Sequence, residues 1–311
     1  MAQKSKQWAA IIMMIALFAM IAFVTNLCSP MATIVKNQFG ASELAGQIGN
    51  YANFIAYLVM GIPSGMLIAK LGYKKTALLA LIVGIVGIVF EYLSGVVGSY
   101  VIYLVGAFIS GLCMCMLNTV VNPLLNVLGG GGKTGNQLIQ IGGAANSAAA
   151  VAVYILMGAL IGEVTKSTGI SDATPALIIA GVIFVIAFVI LLFTKIEEPE
   201  QAKVELSLIT GALKFRQLSL GALAIFLYMS VEVGTPTYMI SYLQTPEVGL
   251  SAGVAGLIAS VYWLMMFVGR SIGGSIGGKV SSRAMVSTVA TAAIALLLFG
   301  IFAPETMKLT V

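Results

Sequence analysis

Asn118 and Asn122 stand four residues apart in the stretch GLCMCMLNTVVNPLLNVLG, and a helix would set both on one face. An amide donates and accepts hydrogen bonds, so two amides aimed at one space suit a ligand rich in hydroxyl groups. Pro123 follows directly and opens the backbone hydrogen-bond ladder there. Asn26, Gln140, Tyr228 and Trp263 lie in other apolar stretches; phenol and indole rings can cover the C–H face of such a ligand while their polar tips bond it. Glu232 poses the sharper question, because a carboxylate deep in apolar surroundings protonates, pairs or holds a cation. The candidate substrate-binding set is therefore Asn26, Asn118, Asn122, Gln140, Tyr228 and Trp263, with Glu232 as the candidate cation-coupling residue. The competing reading is that buried amides simply join neighbouring helices. Four more polar groups in the same surroundings, Asn50, Asn53, Asn146 and Glu91, fall outside the set, and Glu91 is expected near a helix end where it reaches interfacial water. Arg270 is expected to reach toward the nearby helix end in a structural role.

A second stretch with chemical promise is NVLGGGGKTGNQ, Asn126 to Gln137. A phosphate loop requires G-x-x-x-x-G-K-[ST] between a strand and a helix, yet Val127 occupies the place of the first glycine. The stretch reads as a turn between two helices, and no nucleotide is expected as a partner. Histidine is absent from the chain, which excludes imidazole metal sites and histidine-based triads. Cys28, Cys113 and Cys115 all fall in apolar runs and match no disulfide or zinc spacing. No enzyme activity and no cofactor are expected.

The elements that must position these groups are membrane helices. Of the 311 residues, 59% are hydrophobic and 9% charged, against about a quarter charged in soluble domains, and mean hydropathy is +1.05. Apolar runs near the ~20 residues needed to cross a bilayer cover Trp8–Cys28, Gln47–Ala69, Thr76–Ser94, Tyr100–Leu125, Leu138–Ile161, Pro175–Phe193, Leu218–Leu243, Ala252–Gly277 and Ala284–Phe302. They must be helices, because lipid offers no partner to backbone N–H and C=O groups. The first run is too long for a signal-peptide core and should remain as a span.

The basic residues outside the spans set the orientation. With the N-terminus inside, twelve Lys and Arg lie on the cytoplasmic side and three, Lys36, Lys166 and Lys308, on the outer side. A multi-pass protein of the cytoplasmic (inner) membrane follows, its lipid partner the bilayer. The net charge of +5 is thus a matter of topology and does not call for nucleic acid.

The longest polar stretch, TKIEEPEQAKVELSLITGALKFRQ, divides the chain into an N-terminal six-helix bundle (1–194), a cytoplasmic linker (195–216) and an incomplete three-helix bundle (217–311). GIPSGMLIAKLGYKK after the second span and GRSIGGSIGGKVSSR after the eighth weakly echo each other, as parallel repeats of one unit would.

With GLCMCMLNTVVNPLLNVLG followed by NQLIQIGGAANS, the chain resembles the fucose:proton symporter (sugar) family of the major facilitator superfamily. YMSVEVGTPTYMISYL resembles the family's seventh helix, where a glutamate at the place of Glu232 is common. GMLIAKLGYKK resembles the superfamily's conformational loop motif, represented here by Gly65, Gly72, Lys74 and Lys75, with Ala69 where an aspartate is usual. The resemblance implies an all-α membrane protein of major facilitator fold, truncated after about nine of twelve transmembrane helices. It also implies a secondary transporter working by alternating access on a monosaccharide such as fucose, glucose, galactose or an amino sugar. Asn26 and Asn118 stand where the fucose symporter has acidic residues tied to proton coupling, so sugar contacts carry over to them while that proton mechanism does not. The candidate coupling ions are Na+ and H+. The alternative is a membrane sensor or assembly subunit that moves no solute, or an inactive fragment.

Overall fold

The computed structural model describes residues 7–40, 42–161, 168–199, 211–212, 214–243, 245, 248–250 and 252–302. Among them are nine helices long and apolar enough to cross a membrane. They are α1 (Trp8–Phe39), α2 (Glu43–Leu71), α3 (Tyr73–Val97), α4 (Tyr100–Leu128), α5 (Gly132–Ile161), α6 (Thr174–Phe193), α7 (Arg216–Leu243), α8 (Ala252–Ile276) and α9 (Ser282–Phe302), with one 3-10 turn at Ile170–Ala173 ahead of α6. No strand occurs among the described residues. The sequence places the nine spans correctly and makes several too short. α1, for example, continues through Pro30 to Phe39 before Gly40 ends it with φ of 59°.

Short turns join the first five helices. Ser42 caps α2 by accepting the N–H of Ala45. Between α4 and α5, Gly130, Gly131 and Gly132 take φ of 85°, 73° and 54°, a run of left-handed conformations that only glycine adopts cheaply. The glycine-rich stretch is thus a helix-to-helix turn, as its sequence suggests.

α1 to α6 pack around one apolar core that includes Leu17, Leu81, Leu117, Val121 and Phe184. Close approach is built in where α6 meets α3: a Cβ on Gly84 would collide with the Phe184 ring. α8 packs against α5, and α7 against α8. No residue of α9 is buried, so its apolar surface belongs against lipid or further helices.

The stretch read as a linker begins bound to the first bundle. Glu198 accepts the backbone N–H groups of Tyr73 (2.7 Å) and Lys74 (2.9 Å), the first two residues of α3. Lys74 Nζ in turn donates to the carbonyls of Leu192 (2.9 Å) and Thr194 (2.8 Å) at the end of α6. Glu197 N–H donates to Gln7 Oε1 at 2.9 Å. Residues 200–210, the middle of the expected linker, lie outside the described residues.

Candidate functional site

The polar residues at the meeting of α5, α7 and α8 are organised by Arg270. Its side chain is 19% exposed and forms an ion pair with Glu232 Oε1 at 2.8 Å. The same Nη2 donates to Tyr228 Oη at 3.1 Å. Glu232 and Tyr228 lie four apart on α7 and so share a face. Nη1 points the other way, into α5, donating to Ser147 Oγ (3.0 Å) and the Gly143 carbonyl (3.2 Å), with Asn146 Oδ1 at 3.5 Å. Asn146 Nδ2 extends the chain to α1 by donating to the Phe18 carbonyl at 2.9 Å. One guanidinium therefore ties three helices together, using the planar fork of donors that distinguishes Arg from Lys.

Trp263 stands seven residues, two helical turns, before Arg270 on α8 and packs against Ala22 of α1 and Ala150 of α5. Tyr262 meets it edge-to-face, with ring centroids 5.6 Å apart, and Tyr262 Oη donates to the Glu232 carbonyl at 3.2 Å. Two buried polar atoms here have no hydrogen-bond partner: Trp263 Nε1, a donor, and Glu232 Oε2, an acceptor. Leaving such groups unpaired costs about 1–3 kcal/mol each, so each is a polar group that a ligand reaching this cluster can complete.

The structure thus gathers Tyr228, Glu232 and Trp263 from the sequence set and adds Arg270, Asn146 and Ser147. The other amides are used differently. Asn26 Nδ2 donates to the carbonyl of Ala22, one turn back on its own helix, at 2.8 Å. Asn122 Nδ2 does the same to Asn118 at 3.1 Å, while Asn118 Nδ2 donates to Tyr57 Oη on α2 at 2.9 Å. Gln140 lines a separate recess of about 90 Å3 with Asn136, Gly277, Ser282 and Met285. Asn118 and Asn122 share a helix face as predicted, and one of them serves as helix-to-helix glue. Arg270 departs from expectation: it turns inward, because Glu232 and the α5 acceptors offer partners within reach. Its position in an apolar run was the available signal, since a buried cation calls for a buried anion.

In the loop motif, Lys74 is engaged by Glu198, and Gly72 (φ of 86°) makes room for that carboxylate, since a Cβ there would collide with Glu198 Oε2. Gly65 faces open space, and Lys75 is exposed.

Nine apolar helices among the described residues, with an ion pair and aromatic residues between α5, α7 and α8, define a multi-pass membrane protein with a polar seam. The Major Facilitator Superfamily profile matches residues 12–310, and the chain belongs to that superfamily. It is 25% identical over 263 residues to a glucose/galactose transporter of Brucella abortus, covering 82% of this chain and 64% of that protein. The L-fucose-proton symporter of Escherichia coli is 22% identical over 314 residues, 93% of this chain and 72% of that one. A crystal structure of the E. coli fucose:proton symporter superposes with a TM-score of 0.80 at 21% identity, covering 96% of this chain and 78% of that one. The chain therefore has the major facilitator fold while spanning 64% of the length of the Brucella relative.

Proposed function

We propose that this chain is the sugar-handling part of a secondary transporter that moves a monosaccharide across the cytoplasmic membrane by alternating access, with the N-terminus inside. The unit 1–194 and the unit 217–311 rock about the seam between α5 and α7–α8, as the two halves of such carriers do about a midplane site. The observation that carries this reading is that the α5–α7–α8 cluster contains both an unsatisfied buried donor, Trp263 Nε1, and an unsatisfied buried acceptor, Glu232 Oε2, the latter on the carboxylate that Arg270 pairs. Sugar hydroxyls would complete both, one accepting from the indole and one donating to the carboxylate. Tyr228 and Trp263 would bind the ring directly. Asn26, Asn118, Asn122 and Gln140 are the further contacts, reached as the halves move. The bond to Arg270 supports a role for Glu232 in ordering α7 and presenting Oε2 to the sugar. The printed names of the relatives support glucose, galactose or fucose as the substrates to try first.

The test is uptake of labelled glucose, galactose and fucose into proteoliposomes, beside direct binding to the purified protein. Trp263→Phe removes one hydrogen bond to the sugar and should weaken binding about tenfold, the equivalent of ~1.4 kcal/mol; Glu232→Gln also unpairs Arg270 and should weaken it more. Binding without flux would turn the reading to a sensor; no binding of any hexose would end it.

A further inference from the structure

Glu91 is expected from its sequence position to reach interfacial water, but it is 7% exposed. It sits on α3 and crosses to α4, where Oε1 accepts a hydrogen bond from Ser110 Oγ at 2.9 Å. Two glycines make the space for this pair: a Cβ on Gly106 would lie 2.9 Å from Glu91 Cγ, and one on Gly87 would lie 2.5 Å from Ser110 Oγ. On its other side Glu91 borders a cavity of about 10 Å3 completed by Tyr103 and by Val24, Leu27, Cys28 and Met31 of α1. That is close to the space one water molecule needs. Next to Cys28, Asn53 of α2 donates to the thiol at 3.7 Å, while its own Oδ1, fully buried, has no partner.

No base answers this carboxyl among the described residues. Its titratable neighbours are Cys28 from α1 and Tyr103 from α4, neither of which is a cation. α6 carries no titratable side chain. In the 3-10 turn, Asp172 is bonded to the Gly169 N–H and exposed. Tyr100, at the start of α4, donates to the Ala45 carbonyl. On α1 the next base, Lys36, stands eight residues beyond Cys28, about 12 Å along the helix. A buried carboxylate without a counter-charge costs several kcal/mol, whereas Glu232, the acid at the seam, has Arg270. The two acids thus differ in kind: one is ion-paired, the other is answered by a hydroxyl and a water-sized space.

We propose that Glu91 is the proton-binding site of the cycle, taking up one proton from water on the side opposite the N-terminus and releasing it on the other. Its carboxylate becomes a carboxylic acid in one half-cycle and is restored in the next, so one proton crosses per turn. The cavity wall between Val24 and Met31 belongs to the same helix whose Ala22 supports Trp263. Loading Glu91 therefore alters the seating of α1, and α1 carries the change to the sugar seam. This inference rests on the transport reading above, and its test separates the two.

In proteoliposomes, Glu91→Gln keeps the side-chain size and should exchange labelled sugar across the membrane while losing sugar-driven proton uptake and gradient-driven accumulation to the level of protein-free liposomes. Accumulation equal to wild type would overturn the proposal. A second measurement needs no sugar: infrared difference spectra between acid and alkaline buffer should contain a carboxylic-acid C=O band in wild type that vanishes in Glu91→Gln. If that variant does not fold, Ser110→Ala removes the carboxyl's hydrogen bond and should shift the band. A band unaltered by the substitution sinks the Glu91 assignment even if sugar moves, and a failure of all hexose movement with the band intact sinks the transport reading alone.

Discussion

The α1–α6 block and the α7–α9 segment solve the same problem in opposite ways. In the first, 56% of the most apolar window of α1 and of α4 is buried against other helices, while in α7 and α9 none of it is. α1–α6 thus hold together by dispersion and close packing, the main source of helix association in lipid. α7 and α8 are joined to that block through α8, where Arg270 and Trp263 meet α5, the Gln137 amide donates to the Gly274 carbonyl at 2.8 Å, and glycines at and just beyond the end of α8 lie against Gln137 and Gln140. Movement is less costly at the second: a dry, interlocked core resists rearrangement, whereas a seam held by a guanidinium, an indole and an amide against small residues can open by exchanging a few partners.

The largest effect expected from breaking this contrast comes from Arg270→Ala. It strands Glu232 in a buried place, and breaking a buried pair on one side costs about 3–5 kcal/mol. α7 and α8 should then loosen from α5 while α1–α6 stay folded. Hydrogen exchange measured by mass spectrometry should show faster exchange in α8 and unchanged protection in α4. The double change Arg270→Met with Glu232→Gln removes both charges and should restore much of the protection; equal loosening in single and double variants would mean the ion pair does not hold the seam.

Phe184→Ala attacks the other side of the comparison. It empties the contact at Gly84 in the α3–α6 interface, and such truncations cost about 3–5 kcal/mol in a packed core, toward the lower end here where lipid can follow the surface. Thermal unfolding should shift, with the exchange pattern of the α5–α8 seam preserved. A third change tests the strap at the N-terminal side. Glu198→Ala leaves two helix-starting N–H groups of α3 without their charged acceptor, worth about 1.5–3 kcal/mol for hydrogen bonds to a charge. The cleavage rate of the segment after Thr194 by added protease should rise, and a Gly72→Ala variant should reproduce it, because the new Cβ displaces the same carboxylate.

These contrasts also mark what the amino-acid order can reveal. The nine spans are legible because length and apolarity alone decide them, and the turn at Gly130–Gly132 is legible because glycine answers a local need. Arg270 is not, because its direction depends on how α8 crosses α5, and that crossing is set by surfaces more than a hundred residues apart in the chain. Glu91 misleads for a related reason: its distance from the helix end suggests water, yet Gly87 and Gly106 let α3 and α4 close over it. Glu198 sits in a polar stretch that reads as free linker; its partners, the N–H groups of Tyr73 and Lys74, lie in backbone that carries no residue-specific signal. Asn26, Asn118 and Asn122 were legible as polar groups within spans, though their present bonds run to their own helices or to Tyr57.

That last group provides the smallest and most discriminating change. In Asn122 the amide N–H bonds only the carbonyl one turn back, which already accepts within the helix, so Asn122→Ala should alter stability by less than about 0.5 kcal/mol, as substitutions outside a buried network do. If the seam closes over sugar as the halves rock, the freed amide exchanges that local bond for a hydroxyl, and its loss should weaken sugar binding severalfold, in keeping with the ~0.5–1.5 kcal/mol of a neutral hydrogen bond. Isothermal titration of wild type and variant with the preferred hexose measures this against an unchanged melting curve. Equal affinities would confine the sugar to the Arg270 seam and leave the α4 amide as a contact of the helix with itself.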